Sequence, residues 1–242
     1  PAGAAHLGPT GGPTRTSLFA GTDPVGAELG SGGGTAHLLA EAWRQTGTGL
    51  TFDSWLERER KIMVHAGGRS RRAPAYAPQG KALTPMPVWR WSWGHSLTQD
   101  LLDLQMRFLD EVSEQAPAST RVILSSGDVL IRSDEELPTL PDADVIGLGL
   151  WESAEVASHF GVFFSKRDTP GTLDYVLQKP SLEGIRSRSR THLFLVDSGI
   201  WLLSSRAVGV LMRKCGWGHG PHREADQIPT FYDLYTSLGT AL

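Results

Sequence analysis

KIMVHAGGRSRRAPAYAPQGKALTP, residues 61–85, opens on a short apolar run, turns at paired glycines and continues into a dense cluster of cations. Ile62, Met63 and Val64 predict a buried strand, Gly67 and Gly68 remove side chains where the backbone must turn, and Arg69, Arg71, Arg72 and Lys81 gather positive charge in one loop. A polyphosphate suits that arrangement. Backbone N–H groups bared by the glycines can approach phosphate oxygens, while Arg forks and a Lys point charge neutralise the outer phosphates. A solvated basic loop is the bland alternative. Against it stand Pro74, Pro78 and Pro85, which stiffen the loop and lower the entropy lost in holding several cations together.

Working outward, the chain of 242 residues is 40% hydrophobic with a net charge of −3, enough to bury a substantial core and no match for a bulk polyanion. One cysteine, Cys215, excludes an internal disulfide framework and suits a reducing cytosol, so a cytoplasmic location is expected. No apolar run reaches the length of a bilayer span; even LFLVDSGIWLLS is broken by Asp197. Residues 1–17, rich in Gly, Pro and Thr, read as a flexible tail ahead of one domain over 18–242.

Helices are expected at 35–45, 53–60, 96–113 (with Ser96 as N-cap) and 206–214. Strands are expected at 121–125 and 144–150, a hairpin at 161–167 and 173–178 around DTPG, and two further strands at 192–196 and 200–203. The strand runs are apolar on both faces and alternate with helices, which predicts an α/β three-layer fold with a mostly parallel, mixed sheet.

The glycine run LGSGGGT, residues 29–35, nearly matches a dinucleotide fingerprint, but Thr35 stands where the last glycine belongs and no strand precedes it. At a helix N-terminus, Gly32, Gly33 and Gly34 would instead offer free N–H groups and a favourable dipole to an anion, so they are taken with Gly67 and Gly68 as nucleotide-binding.

HAGGRSRRAPAYAPQGK resembles the signature of the L-fucose-1-phosphate guanylyltransferases, the pyrophosphorylase half of the bifunctional fucokinase/fucose-1-phosphate guanylyltransferases. TDPVGAELGSGGGTAHLL (22–39), SSGDVLIRS (125–133), LQKPSL (177–182), THLFLVDSGIWLLS (191–204) and FYDLY (231–235) extend the resemblance in the family's order. It implies the nucleotide-diphospho-sugar transferase version of the α/β fold, truncated before a C-terminal β-helix and without the kinase half. It also implies a nucleotidyltransferase joining L-fucose 1-phosphate to GTP, giving GDP-sugar and pyrophosphate. A binding module for nucleotide or sugar phosphate without turnover is the alternative. Three features depart from the family pattern: Ala73 replaces a larger apolar residue, residues 213–230 match poorly, and the extension is missing.

By the same resemblance Asp128, at the end of the run VILSSG, binds Mg²⁺, with Asp233 or Asp197 as second carboxylate; spacing does not choose between these two. Lys179 in QKP is assigned to the phosphate of the sugar 1-phosphate, and Ser198 and Gly199 to the border of the sugar. Arg71, Arg72 and Lys81 form the catalytic set. No general base is needed, because a sugar phosphate with a second pKa of roughly 6 is already anionic at neutral pH; alignment and charge neutralisation are the task.

Other constellations carry less. Cys215, His219 and His222 lack the fourth ligand of a structural zinc site. Arg186, Arg188 and Arg190 have no interleaved aromatics and read as an exposed loop, so no nucleic-acid partner is expected. Trp89, Trp91 and Trp93 alternate as on a strand, more a core or interface pattern than a stacking platform. Ala75 and Ala82 break a Walker A match. Homo-oligomerisation is left open.

Overall fold

A computed structural model describes residues 18–66, 81–86, 99–131, 136–218, 221, 228–234 and 237. The tail 1–17, the N-cap assigned to Ser96, the Trp89, Trp91 and Trp93 stripe, His219 and His222 lie outside them. By its contacts the chain separates into two compact units, Pro1–Arg58 with Gly209–Leu234 and Glu59–Val208 with Tyr235–Leu242.

The first unit holds α1 (Gly30–Thr46) and α2 (Phe52–Arg58). Leu39, Ala40 and Trp43 form the buried side of α1, and Phe52, Trp55 and Leu56 that of α2. Trp43 and Phe52 meet edge to face at 6.0 Å. Helix α1 starts earlier than the expected 35–45, because the glycine run forms its first turns.

The second unit contains the sheet. Its strands are β1 (Lys61–His65), β2 (Thr120–Ser126), β3 (Val145–Leu150), β4 (Gly161–Lys166), β5 (Tyr175–Gln178) and β6 (His192–Ser204). They form one mixed sheet of 6 strands in the order β1-β2-β6-β4-β5, with β3 also on β6. Only β1 and β2 run parallel; the other four pairings are antiparallel, which corrects the mostly parallel sheet expected. Apolar runs report burial on both faces, which is the same whichever way a neighbour points.

The two strands expected at 192–196 and 200–203 are one, β6. Val196 pairs with both Leu150 and Val162, and Leu202 with both Ile123 and Ile146. A strand edge bonds one neighbour at a time, so β3 occupies one edge of β6 while β2 and β4 share the other, end to end.

Helix α3 (Leu101–Gln115) covers one face of this sheet. Its N-cap is Asp100, in a reciprocal capping box with Asp103, which sets a later start than residue 96. Leu109 and Val112 of α3 pack with Ile123, Ile146, Ile200 and Leu202 into one cluster. Burial of each such side chain contributes about 1.5–3 kcal/mol. A second cluster joins Val162, Phe164 and Val196 to Ala157 of α4 (Ala154–Ala157) and Ile185 of α5 (Leu182–Arg188).

Helix α5 corrects the loop read at Arg186 and Arg188, which are exposed as expected, while Arg190 lies in the exposed turn beyond it. Ser181 caps it by accepting from the Gly184 N–H at 3.1 Å, buried Ile185 anchors it, and Arg186 and Arg188 lie in the last turn, where cations are favoured. Arg186 also reaches Glu155 at 2.5 Å. Helix α6 (Ser205–Lys214) follows β6, with Ser204 Oγ accepting from Ala207 N–H at 3.1 Å.

One α3 side chain reaches past the core to the loop after β2. Buried Gln105 donates through Nε2 to the carbonyl of Ser126 at 3.1 Å and to that of Val129. Replacing it by Leu leaves both carbonyls without that donor. Gln105→Leu is expected to lower the unfolding free energy by about 1–3 kcal/mol, read as a shifted midpoint in urea with an unchanged slope.

Candidate active-site cleft

Strand β6 is irregular where its partners change. Between the pairs Gly147↔Trp201 and Gly149↔Asp197 it carries two more residues than β3, so its backbone bulges at Ser198, Gly199 and Ile200. The bulge is held from within. Asp197 Oδ1 accepts from the Gly199 N–H at 2.8 Å, and Ser198 Oγ accepts from the Ile200 N–H at 3.2 Å. Gly199 has φ 76°, and a Cβ there would lie 3.0 Å from Ser126 Cβ, so glycine is required twice over.

A cleft of about 210 Å³ opens at this point, lined by Ser126 and Val129 beyond β2, Gly161 and Gln178 of the hairpin, and Asp197, Ser198 and Gly199 of the bulge. The ends of β2 and β4 on β6, at Ser125↔Ile200 and Val162↔Val196, leave the gap that becomes its floor. Gly161, beside Gln178 in the ladder, clears its rim: a Cβ there would stand 3.0 Å from Gln178 Nε2 and 3.3 Å from Asp197 Cβ. The position beyond the carboxyl end of β2 is where α/β sheets commonly admit ligands.

The β2 loop is fixed by Gln105 and by the Gly127 N–H, which donates to the His65 carbonyl at 3.0 Å. Asp128 is exposed on it and accepts from Ser126 Oγ at 2.6 Å. Lys179, next to Gln178, is exposed with φ 48°, the one non-glycine residue in the left-handed region among those described. Its N–H donates to the Phe160 carbonyl at 2.9 Å, which pins the conformation. Strain of this kind costs on the order of 1 kcal/mol and persists where surrounding structure enforces it.

Asp197 dominates the electrostatics. Burial pushes its carboxyl up to about 6, with the Gly199 N–H and then the Trp201 indole pulling the other way. No cation enters that balance among the described residues, so a positive charge placed in the cleft would find an uncompensated carboxylate.

The other predicted residues lie elsewhere. Gly32 and Gly33 sit in the first turns of α1, not in a loop ahead of it, and their N–H groups donate to the Tyr232 carbonyl at 2.8 and 3.1 Å. That corrects the reading of free anion-facing donors: the nearest acceptor is the chain's own backbone. Both glycines permit this approach, since a Cβ on Gly32 would come within 2.5 Å of Tyr232 Cδ1 and one on Gly33 within 3.0 Å of the Thr230 carbonyl. Gly34 is half-buried on the next position. Asp233 accepts from Ser31 Oγ at 2.8 Å, tying 230–234 to the start of α1. Asp233 therefore belongs to the first unit, whereas Asp128 and Asp197 belong to the second. Gly67, Gly68, Arg71 and Arg72 lie outside the described residues, and Lys81 begins a short 3-10 turn, Lys81–Leu83.

A family model, the fucose pyrophosphorylase domain, matches residues 53–236. The chain belongs to this family. It is 50% identical over 228 residues to the L-fucokinase/L-fucose-1-P guanylyltransferase of Bacteroides fragilis, covering 94% of this chain and 23% of that protein. It is also 25% identical to the bifunctional fucokinase/GDP-fucose pyrophosphorylase of Arabidopsis thaliana, over 80% of this chain and 21% of the relative. The fucose-1-phosphate guanylyltransferase of Mus musculus is 25% identical as well, over 70% and 28%. The chain thus spans about a quarter of the length of these relatives.

The span matched to the fucose pyrophosphorylase domain takes in Asp128, Lys179, Ser198, Gly199 and Asp233 but begins after Gly32, Gly33 and Gly34. Ser126, Gly161 and Gln178 are cleft residues that sequence reasoning passed over. Gln178 stood beside a singled-out Lys; Gly161 gave no signal apart from preceding an apolar run.

The raised pKa of Asp197 has a consequence of definite sign for stability. The folded protein holds this proton more tightly than the unfolded chain, so its contribution to stability is full below about pH 4 and is lost as pH rises through about 6. Asp197→Asn should flatten stability between pH 4 and pH 7 by on the order of 3 kcal/mol. Urea midpoints of both proteins, in buffer free of divalent cations, check this.

Proposed function

We propose that this chain carries the nucleotidyl-transfer step of GDP-fucose synthesis, joining L-fucose 1-phosphate to GTP with release of pyrophosphate. Membership of the fucose pyrophosphorylase family and the relatives' named activities support the reading. The observation that carries it is a cleft lined from three segments the sequence had singled out separately: Ser126, two residues before Asp128; Gln178, next to Lys179; and Asp197, Ser198 and Gly199. A nucleotide-diphospho-sugar transferase fold is in keeping with a mixed α/β sheet whose cleft opens past the carboxyl end of β2. A cytoplasmic setting suits the buried free Cys215, whose thiol burial pushes up to about 11.

The chemistry asks little beyond placement. A phosphate oxygen of the sugar phosphate, already anionic, attacks the α-phosphorus of GTP; the bond from that phosphorus to the bridging oxygen breaks, and pyrophosphate leaves with the electron pair. Lys179 holds the attacking phosphate at the cleft rim, and Ser198 and Gly199 border the sugar. Arg71, Arg72 and Lys81 are assigned to neutralising the triphosphate, and Gly67 and Gly68 to binding the nucleotide.

The cleft also fits Mg²⁺. Among the described residues no three His, Cys, Asp or Glu side chains cluster, but this ion is held by one or two carboxylates plus water and substrate phosphates. Asp128, exposed on the loop two residues beyond Ser126, and Asp197, which lines the cleft, suit that demand, and Asp197 is preferred to Asp233 as the second ligand. When bound, the ion would supply further neutralisation of phosphate charge.

The protein mixed with GTP, L-fucose 1-phosphate and Mg²⁺ is expected to release pyrophosphate only when both substrates are present. Saturable binding without pyrophosphate would favour a non-catalytic binding module, and absence of both would end the reading. Lys179→Ala is expected to raise the KM for sugar phosphate by about 10–100-fold, equivalent to about 1.4–2.7 kcal/mol, with the KM for GTP little changed. Equal losses for both substrates would place Lys179 elsewhere.

A further inference from the structure

Hydroxyl, amide and carboxylate groups and two glycines make up most of the cleft, and among the described residues Val129 is the single branched apolar side chain that lines it. The Val129 carbonyl is held by Gln105 Nε2, and its side chain is half-buried while the neighbouring Asp128 and Leu130 are exposed. The two glycines face different surroundings. At Gly161 the place a Cβ would take lies 3.0 Å from Gln178 Nε2 and 3.4 Å from Gln178 Oε1. At Gly199 the nearest side-chain atoms are carbons, Ser126 Cβ at 3.0 Å and Val129 Cγ2 at 3.9 Å. One side of the cleft therefore offers an amide, the other a hydrocarbon surface beside bare backbone.

We propose that Val129, next to the bare backbone of Gly199, is the specificity-determining residue that receives the C5 methyl group of a 6-deoxyhexose 1-phosphate. The inference rests on the nucleotidyl-transfer reading above and names the feature of the sugar that this side of the cleft reads.

The chemistry of such a sugar selects the pairing. In L-fucose 1-phosphate every ring carbon except C5 carries an exocyclic oxygen, and C5 carries a methyl group. A hydroxyl set against carbon loses its water partners without replacement, whereas a methyl group gains by leaving water. The Gln178 amide, exposed at the cleft, both donates and accepts, so it suits a hydroxyl. Val129 can do neither, which leaves it to the methyl group. A hydrocarbon surface rejects an added hydroxyl only modestly, so the selectivity expected from one half-buried valine is about 10-fold and not absolute.

Pyrophosphate release from GTP and Mg²⁺ tests the inference with three sugars: L-fucose 1-phosphate, its 6-hydroxy counterpart L-galactose 1-phosphate, and the pentose analogue that has hydrogen in place of the C5 methyl group. The wild-type chain is expected to prefer L-fucose 1-phosphate by about 10-fold in kcat/KM over each of the other two. Val129→Ala should bring the preference over the pentose analogue within about 3-fold, because truncating the residue and truncating the sugar remove the same contact. Val129→Thr, of nearly the same shape but with a hydroxyl, should bring the preference over L-galactose 1-phosphate within about 3-fold. In both variants the KM for GTP should stay within about 2-fold of wild type and the far-ultraviolet circular dichroism should be unchanged, which a folding defect would not allow. A wild-type chain indifferent to the C5 substituent, or variants that lose activity equally on all three sugars, overturns the inference and leaves the transferase reading standing. A wild-type chain that releases no pyrophosphate with any of the three overturns that reading and the inference together.

Discussion

A strand of 13 residues, β6, has to satisfy backbone groups on three neighbours, and it does so by breaking its own regularity at Ser198, Gly199 and Ile200. Two neighbours share one edge and cannot meet without a gap. The gap would leave buried N–H groups orphaned, a penalty of about 1–3 kcal/mol each. Asp197 and Ser198 remove it by turning their own side chains onto the next backbone donors. The cleft, its glycine-lined rim and the weakened acidity of Asp197 all descend from that arrangement.

Electrostatics ties the cleft to the reaction proposed for it. A carboxylate pushed toward neutrality by burial is a poor neighbour for a phosphate and a good one for a cation. Two anionic reactants can meet only where positive charge outweighs their repulsion. Lys179, held at its unusual φ by the Phe160 carbonyl and next to Gln178 of the cleft, is proposed to supply one such charge. The sequence places several more in residues 69–81.

Glycines do different work in different places. Gly199 and Gly161 hold space open at the cleft, whereas Gly32 and Gly33 let the backbone at 230–234 close onto the first turns of α1. The two uses look alike in sequence. What separates them is the acceptor that happens to lie nearest in three dimensions.

The sequence by itself determined most of the helices and strands, though not α4 or α5, as well as the family and most of the short stretches from which the cleft is made. Those are local properties: the apolar run at 62–64, the DTPG reversal, and the motifs around Asp128, Lys179 and Ser198. Strand direction and the merging of two expected strands into β6 were decided by tertiary structure. So was the satisfaction of the α1 N-terminus by Tyr232. Each of these depends on a partner distant along the chain, as with Gly32 and Tyr232 or Asp197 and Gly161. A pattern of apolar and polar residues records that a side chain is buried, but neither the direction of the strand beside it nor the identity of the group it meets.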